Sequence, residues 1–364
     1  MIIILIKATE LQPDIILKLL NKYIYILGHD GVGWSIDKDR LYLEKAIKDL
    51  DYQITSNIFK ADIIYSVWWN LLIRKRFLIF RFFFRKAELI VSITNDLSQF
   101  EESGIVQKLI KISDKYVYAN LKQKKFLLSK NIKEKNLYYN PFYVDEKVFS
   151  KQSVSRSDIA RRFCIEKDKI KNKFLIGSFQ RDSLGENLLS PKWQKNPDLL
   201  VNILLKLKDI DYCLIIAGPR RHYIISQLER YSINYIFVGD KSYIDNTKDD
   251  IKENNLSDDD INLLNALVDL CIVSSSSEGG PKAIPEAVLT MTSILSTDVG
   301  FAHDLLVDES IYHTKNECVE KILKIQSDSV YRNKIIEQNY TKVRALYSYE
   351  LYRKRVMNTI EGCV

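Results

Sequence analysis

Short, continuously apolar runs alternate along most of the chain with segments whose apolar residues recur every three or four positions. The runs at 2–6, 23–27, 62–67, 89–93, 115–119, 137–139, 174–178, 212–217, 235–238, 270–273 and 293–296 are rich in Ile, Leu, Val, Tyr and Phe, and predict β-strands. Segments 41–50, 197–207 and 260–268 carry the helical period. Apolar strands separated by helices belong to parallel sheets covered on both faces. The pattern therefore predicts an α/β protein of two doubly wound domains. The first spans 1–150; the second, 151–340, follows the charged stretch 151–173, and a last helix is expected at about 341–364.

Composition sharpens this in a few places. Hydrophobic residues make up 46% and charged residues 28%, which excludes disordered and fibrous classes. The 5 cysteines form no C-x-x-C or Cys/His cluster and predict reduced thiols in a cytosolic protein. The run at 2–6 ends at Lys7 without a basic lead, too short for a signal peptide or a membrane span.

The net charge of +7 is unevenly placed: residues 1–150 carry 24 Lys and Arg against 17 Asp and Glu, and the rest carry 30 of each. The densest patch, 71–86, has six basic and ten apolar residues and no acid. As a helix it would align Ile73, Phe77, Phe80 and Phe84 beside Arg74, Arg81 and Arg85, with Lys75 and Arg76 close by. That is the pattern of a segment lying in an anionic membrane surface, or of a half-buried helix whose arginines reach water. A cytoplasmic protein, peripheral on the membrane face, is the expectation. Nucleic acid is not expected as a partner, since the rest of the chain is neutral and no recognition motif appears.

Candidate chemistry concentrates in LCIVSSSSEGGPKAIPEAVLTMTSILSTDVGFAHDLL at 270–306. A buried strand runs into four serines, and Glu278, Gly279, Gly280 and Pro281 then turn the chain into a helix carrying Glu286. Glycines allow close backbone approach, and a helix start favours a phosphate. The acidic stretch 248–260 reads differently: Ser257 followed by Asp258, Asp259 and Asp260 suits a helix N-terminus better than a metal site.

The spacing Glu278, seven residues, Glu286 resembles that of the retaining GT-B glycosyltransferases of family four, the glycosyl transferases group one. The resemblance implies two Rossmann-like domains facing across a cleft, and transfer of a hexose from a nucleoside diphosphate sugar to a glycan or lipid-linked acceptor. By resemblance Glu278 contacts donor-sugar hydroxyls, Glu286 contacts the ribose, and the amides of Gly279, Gly280 and Lys282 lie near sugar and diphosphate. A second block, IGSFQRDSLGENLLSPKWQKNPDLL at 176–200, matches a strand ending in Gly177 followed by two diphosphate-holding cations. Arg181 fits the first, and Lys195, with Lys192 as alternative, the second. IIAGPRR, containing Gly218, and YIFVGD resemble the strands whose loops hold the base. No metal is implied.

The acceptor half matches less. GHDGVGWS, with Gly31 and Gly33, is either a loop facing the cleft or a tight turn. Where the family often places a His, SITND offers Asn95 or Asp96. Pro285, Met291 and Ser293 also depart from the family pattern, Pro285 placing Glu286 in the first turn if the helix starts there. These departures motivate an alternative, a non-catalytic nucleotide-sugar-binding or membrane-scaffold protein. No Ser/His/Asp or Cys/His set appears, consistent with front-side displacement, which needs no enzyme nucleophile.

Overall fold

A strand buried on both faces needs hydrogen-bond partners along both edges and helices above and below, and the chain meets that requirement twice. The computed structural model describes residues 22–31, 33, 35–74, 77, 81 and 86–363. Contacts divide it into two units, residues 1–143 with 349–364, and Val144–Ser348. The division falls slightly before residue 150. The last helix is Tyr349–Glu361 rather than one starting near 341, because Ser329–Arg344 is a separate helix of the second unit.

In the first unit, β1 (Tyr23–Leu27), β2 (Gln53–Ile54), β3 (Ile63–Ser66), β4 (Glu88–Ser92), β5 (Lys115–Tyr118) and β6 (Leu137–Tyr139) form a parallel sheet ordered β2-β1-β3-β4-β5-β6. In the second, β7 (Phe174–Ser178), β8 (Tyr212–Ala217), β9 (Tyr235–Val238), β10 (Leu270–Val273), β11 (Ser293–Thr297) and β12 (Ile311–Tyr312) are ordered β12-β11-β10-β7-β8-β9. Every strand predicted within the described residues is present; the one at 2–6 lies outside them. β2 and β12 are additions. At two residues each they are too short to carry a pattern.

Alternate residues of the first sheet serve two cores. Ile24, Ile26, Tyr65 and Ile90 pack with Leu43 and Ile47 of helix Ser35–Lys48 and with Val356 of Tyr349–Glu361. Ile64, Leu89, Val91 and Tyr116 pack with Leu109 and Leu127 on the other face. Ser257 starts helix Asp258–Leu267 by accepting from the Asp260 amide at 3.1 Å, with the three aspartates in its first turn. Among the described residues no group of three or more His, Cys, Asp or Glu side chains could hold a metal ion.

The basic segment departs from an exposed stripe where it is described. Phe77 packs against the Leu89 core, Arg81 Nη2 lies 3.1 Å from Asp114 Oδ2, and Arg81 Nε donates to the Ile112 carbonyl. A ring and an arginine stem beside a sheet face bury more apolar surface by turning inward. Arg74 is exposed, whereas Lys75, Arg76, Phe80 and Phe84 lie outside the described residues. Among those described, no helix is long and apolar enough to cross a membrane.

One cation fixes the last helix. Lys115, at the start of β5 and 8% exposed, donates to the Thr359 and Ile360 carbonyls at 2.9 and 3.1 Å and pairs with Glu88 Oε2 at 3.0 Å. It thereby satisfies carbonyls left open at a helix C-terminus. Lys115→Met keeps the stem and removes the charge, so it should lower stability by about 2 kcal/mol. Amide protection should be lost first in Tyr349–Glu361; unchanged hydrogen exchange there would rule out this anchoring.

Candidate functional site

In the second sheet the chain builds β7, β8 and β9 outward in one direction, then returns to place β10 on the other side of β7. The loops after β7 and β10 therefore part at the carboxyl edge, the place where doubly wound sheets bind ligands. Arg181, Lys192 and Lys195 come from the first loop and Glu278 from the second. Here the structure brings four predicted residues together.

Lys195 Nζ pairs with Glu278 Oε1, to which Ser275 Oγ also donates at 2.8 Å. The serine run explains why the lysine is held there. Ser274 Oγ donates to the Lys195 carbonyl at 3.1 Å, Ser276 Oγ to the Trp193 carbonyl at 2.8 Å, and the Ser276 amide to the Gln194 carbonyl at 2.9 Å. Small hydroxyls on one loop thus satisfy the carbonyls of the single turn Trp193–Lys195. Burial, together with the neighbouring charges of Arg181 and Lys195, pushes the Lys192 ammonium down to about 7, although Glu278 opposes the shift. Three cations within range of one another, with one carboxylate among them, make a site suited to a polyvalent anion.

Beneath the cations lies a pair that residue patterning did not reveal. Arg221 is fully buried, and its Nε lies 2.9 Å from Asp182 Oδ2 with the N–H directed off the line, so that the contact is an ion pair without a completed hydrogen bond. Arg221 Nη2 donates to Ser178 Oγ at 3.2 Å. Burial pushes the Asp182 carboxyl up to about 6 even with Arg221 beside it, and burial lowers Arg221. The Ile224 amide donates to Asp182 Oδ1, the Lys192 amide to the Asp182 carbonyl, and the Ser183 amide to the Arg220 carbonyl. The segment between Arg181 and Lys192 is thus tied down through its backbone.

The glycine turn is shaped by a residue not singled out beforehand. A Cβ on Gly300, at φ +52°, would lie 2.9 Å from the Gly279 carbonyl oxygen and from the Gly280 Cα and amide nitrogen. Only glycine lets the loop after β11 cross that closely. Helix Ala283–Leu289 starts directly after Lys282, two residues before Pro285, whose missing N–H falls in the first turn where no intrahelical partner exists. Glu286 follows, near enough to buried Cys271 for its charge to add to the burial that raises the thiol. Gly177 lies inside β7 opposite Cys271 and Ile215, and Gly218, at φ +88°, leaves β8.

No family model and no curated protein sequence matches the chain. Solved structures do. Anabaena HepE, crystallised in complex with UDP-glucose, aligns over 94% of this chain and 100% of its own at a TM-score of 0.71 and 13% identity. Sucrose-phosphate synthase from Thermosynechococcus elongatus aligns over 94% and 98% at 0.69 and 11% identity. A glycosyltransferase from Rickettsia africae does so over 94% and 98% at 0.65 and 14% identity. The chain has the GT-B fold.

On the N-terminal half of this GT-B chain, the predicted polar residues have local partners. Asn95 Oδ1 accepts from Trp69 Nε1 at 3.2 Å and from Thr94 Oγ1 at 3.0 Å. Asp96 caps the turn Leu97–Phe100, accepting from the Ser98 amide and hydroxyl. The loop of Gly31 and Gly33 closes on an internal carboxylate: the Asp30 and Gly33 amides donate to Asp37 at 2.8 and 2.9 Å, which helps hold the Asp37 carboxyl below its usual range against the opposing effect of burial. Positive φ at both glycines permits this tight turn. Beside it is a cavity of about 640 Å³ lined in part by His29, Arg40, Thr55, Trp68 and Arg74.

Gly300→Ala should force the Gly279–Gly280 turn outward and lower stability by about 1–3 kcal/mol through the left-handed backbone and the close contact. An unchanged urea midpoint would show that the crossing is looser than these distances.

Proposed function

We propose that the protein is a glycosyltransferase that moves a hexose from a nucleoside diphosphate sugar to a hydroxyl of a glycan or lipid-linked acceptor with retention of configuration, in cell-surface polysaccharide or glycolipid synthesis. One observation carries it: Lys195 pairs with Glu278, and Lys192 lies within range of the charges of Arg181, Lys195 and Glu278, at the switch point of a doubly wound sheet. Solved structures of similar fold are complexes with UDP-glucose or with UDP and glucose, which makes uridine nucleotides the first donors to test.

The chemistry follows from the charges. As the bond from the anomeric carbon to the diphosphate oxygen breaks, negative charge builds on the leaving group, and cations already in place stabilise it without reorganising. Glu278 accepts hydrogen bonds from sugar hydroxyls. In front-side displacement the acceptor oxygen bonds to the anomeric carbon on the face the diphosphate leaves, and a departing phosphate oxygen takes the acceptor proton. The diphosphate charge is assigned to the three side chains, with no metal ion required.

UDP or a UDP-sugar at about 100 times its Kd should add about 2.7 kcal/mol of stability, read as a rise in Tm. Arg181→Ala and Glu278→Gln should each lower transfer by about 10²–10³-fold in folded protein. Unchanged turnover in either would sink the role given to that residue, and donor binding without turnover in the parent chain would sink the enzyme assignment in favour of a nucleotide-sugar-binding protein.

The depressed Lys192 gives a signed pH dependence. Below about pH 7 the free protein already carries this charge; above it the lysine is neutral, and the arriving diphosphate restores the proton. UDP affinity should therefore fall as pH rises past about 7, with proton uptake on binding seen by calorimetry in buffers of different ionisation enthalpy. Lys192→Gln should remove that uptake, and uptake that persists in the variant would assign it elsewhere.

A further inference from the structure

The acid-rich turn at 248–254 has no part in the chemistry above, yet it holds both loops on the β8–β9 side of the anion site. Asp250 is fully buried: one carboxylate oxygen accepts the Arg220 amide at 2.7 Å, and the other accepts Asn254 Nδ2 at 2.7 Å. Asn254 is 2% exposed, and its Oδ1 accepts the Asp240 amide at 2.7 Å while its Nδ2 also reaches the Asp240 carbonyl at 3.3 Å. Every polar side-chain atom of the pair is engaged. Asp249 grips the Arg220 guanidinium at 2.9 and 2.7 Å, and the Lys248 carbonyl lies 2.9 Å from His222 Nε2.

The two loops so joined follow β8 and β9. Arg220 sits at φ +56°, a conformation that costs a non-glycine residue free energy and needs its amide held. With a diphosphate on the cations after β7 and its sugar toward Glu278 after β10, the ends of β8 and β9 are left for the base, beyond the ribose expected at Glu286. We propose that Asp250 and Asn254 are positioning residues for the nucleoside half of the donor, bracing the loops after β8 and β9 into a preshaped slot. This rests on the donor assignment above. The cations keep supports of their own, the serine run and the Asp182–Arg221 pair, and are joined to the braced loop through the Asp182 and Ser183 amides on the Arg220 carbonyl, so loss of the brace falls first on nucleoside recognition.

The test is calorimetric titration of the full chain with UDP and, separately, with inorganic diphosphate. Asn254→Asp sets two carboxylates face to face, and Asp250→Asn sets two amide groups so. Each should weaken UDP about tenfold or more, while the diphosphate Kd stays within about twofold. The double exchange D250N/N254D restores the donor–acceptor match between the two side chains, though not the contact with the Asp240 carbonyl, and should bind UDP at least about threefold more tightly than either single variant. Gly239→Ala approaches the same point without altering a polar group, since its Cβ would lie 2.7 Å from Asn254 Oδ1 and as close to Phe237 Cζ, whose ring must turn aside; it should also weaken UDP alone.

Single variants that bind UDP as the parent does, equal losses for UDP and diphosphate, or an exchange that fails to rescue would each overturn the proposal while leaving the donor assignment intact. A parent chain that binds neither ligand overturns both. Where the single variants do not fold, Gly239→Ala decides: parental UDP affinity in it overturns the brace, and selective loss supports it.

Discussion

Cations held within reach of one another without a bound anion repel, and the C-terminal unit is organised around that repulsion. Lys195 has its charge matched by Glu278, while Lys192 has its ammonium pushed toward neutrality. Neither arrangement survives unless the loops after β7 and β10 are rigid, because a flexible loop would let the side chains swing into water and regain full solvation. The serine run supplies that rigidity, and the pairing of β10 with β7 fixes where the run begins. Part of the desolvation of these cations is already present in the fold, so an anion arriving there would meet charges that need little reorganisation.

The Asp182–Arg221 pair has to be weighed differently. A buried ion pair is weak evidence for stability, since desolvation of both charges offsets their attraction. Its partners are more telling than its charge: Asp182 takes the Ile224 amide on its carboxylate and the Lys192 amide on its carbonyl, and the neighbouring Ser183 amide goes to Arg220. The pair joins the segment carrying the cations to the loop after β8, and the 249–254 turn joins that loop to the next. Three loops at one sheet edge therefore hold their shapes together, a consistency between local geometry and site that a preorganised anion pocket demands.

Much of this was legible in the chain itself, for physical reasons that differ by element. Continuous runs such as 212–217 announce themselves because a strand buried on both faces has no polar positions, whereas β2 and β12, two-residue edge strands, leave no pattern. Glu278 and the cations after β7 could be read because a diphosphate sugar needs charged side chains at fixed places. Gly300 and Arg221 could not, since their roles depend on segments distant in sequence meeting them: the Gly279–Gly280 turn in one case and Asp182 in the other. Met291 is intermediate. It occupies a left-handed position, φ +64°, at the end of helix Ala283–Leu289, where glycine is preferred, so the departure in sequence marks strain in a helix stop rather than a lost site residue.

In the N-terminal half the polar residues picked out by sequence sit in local hydrogen bonds. In sequence Asn95 and Asp96 read as cleft chemistry, and each satisfies a group within its own unit, an indole N–H and a turn amide, as Asp37 does for the amides of the glycine loop. Backbone donors at the start of a turn or helix demand acceptors wherever they occur, and short polar side chains beside them answer that demand first. A carboxylate or amide becomes a stronger candidate for chemistry when its partners are other charged side chains from a different loop, as for Glu278 with Lys195. By that criterion the C-terminal unit carries the stronger candidates, because Glu278 and Lys195 meet from two loops distant in sequence.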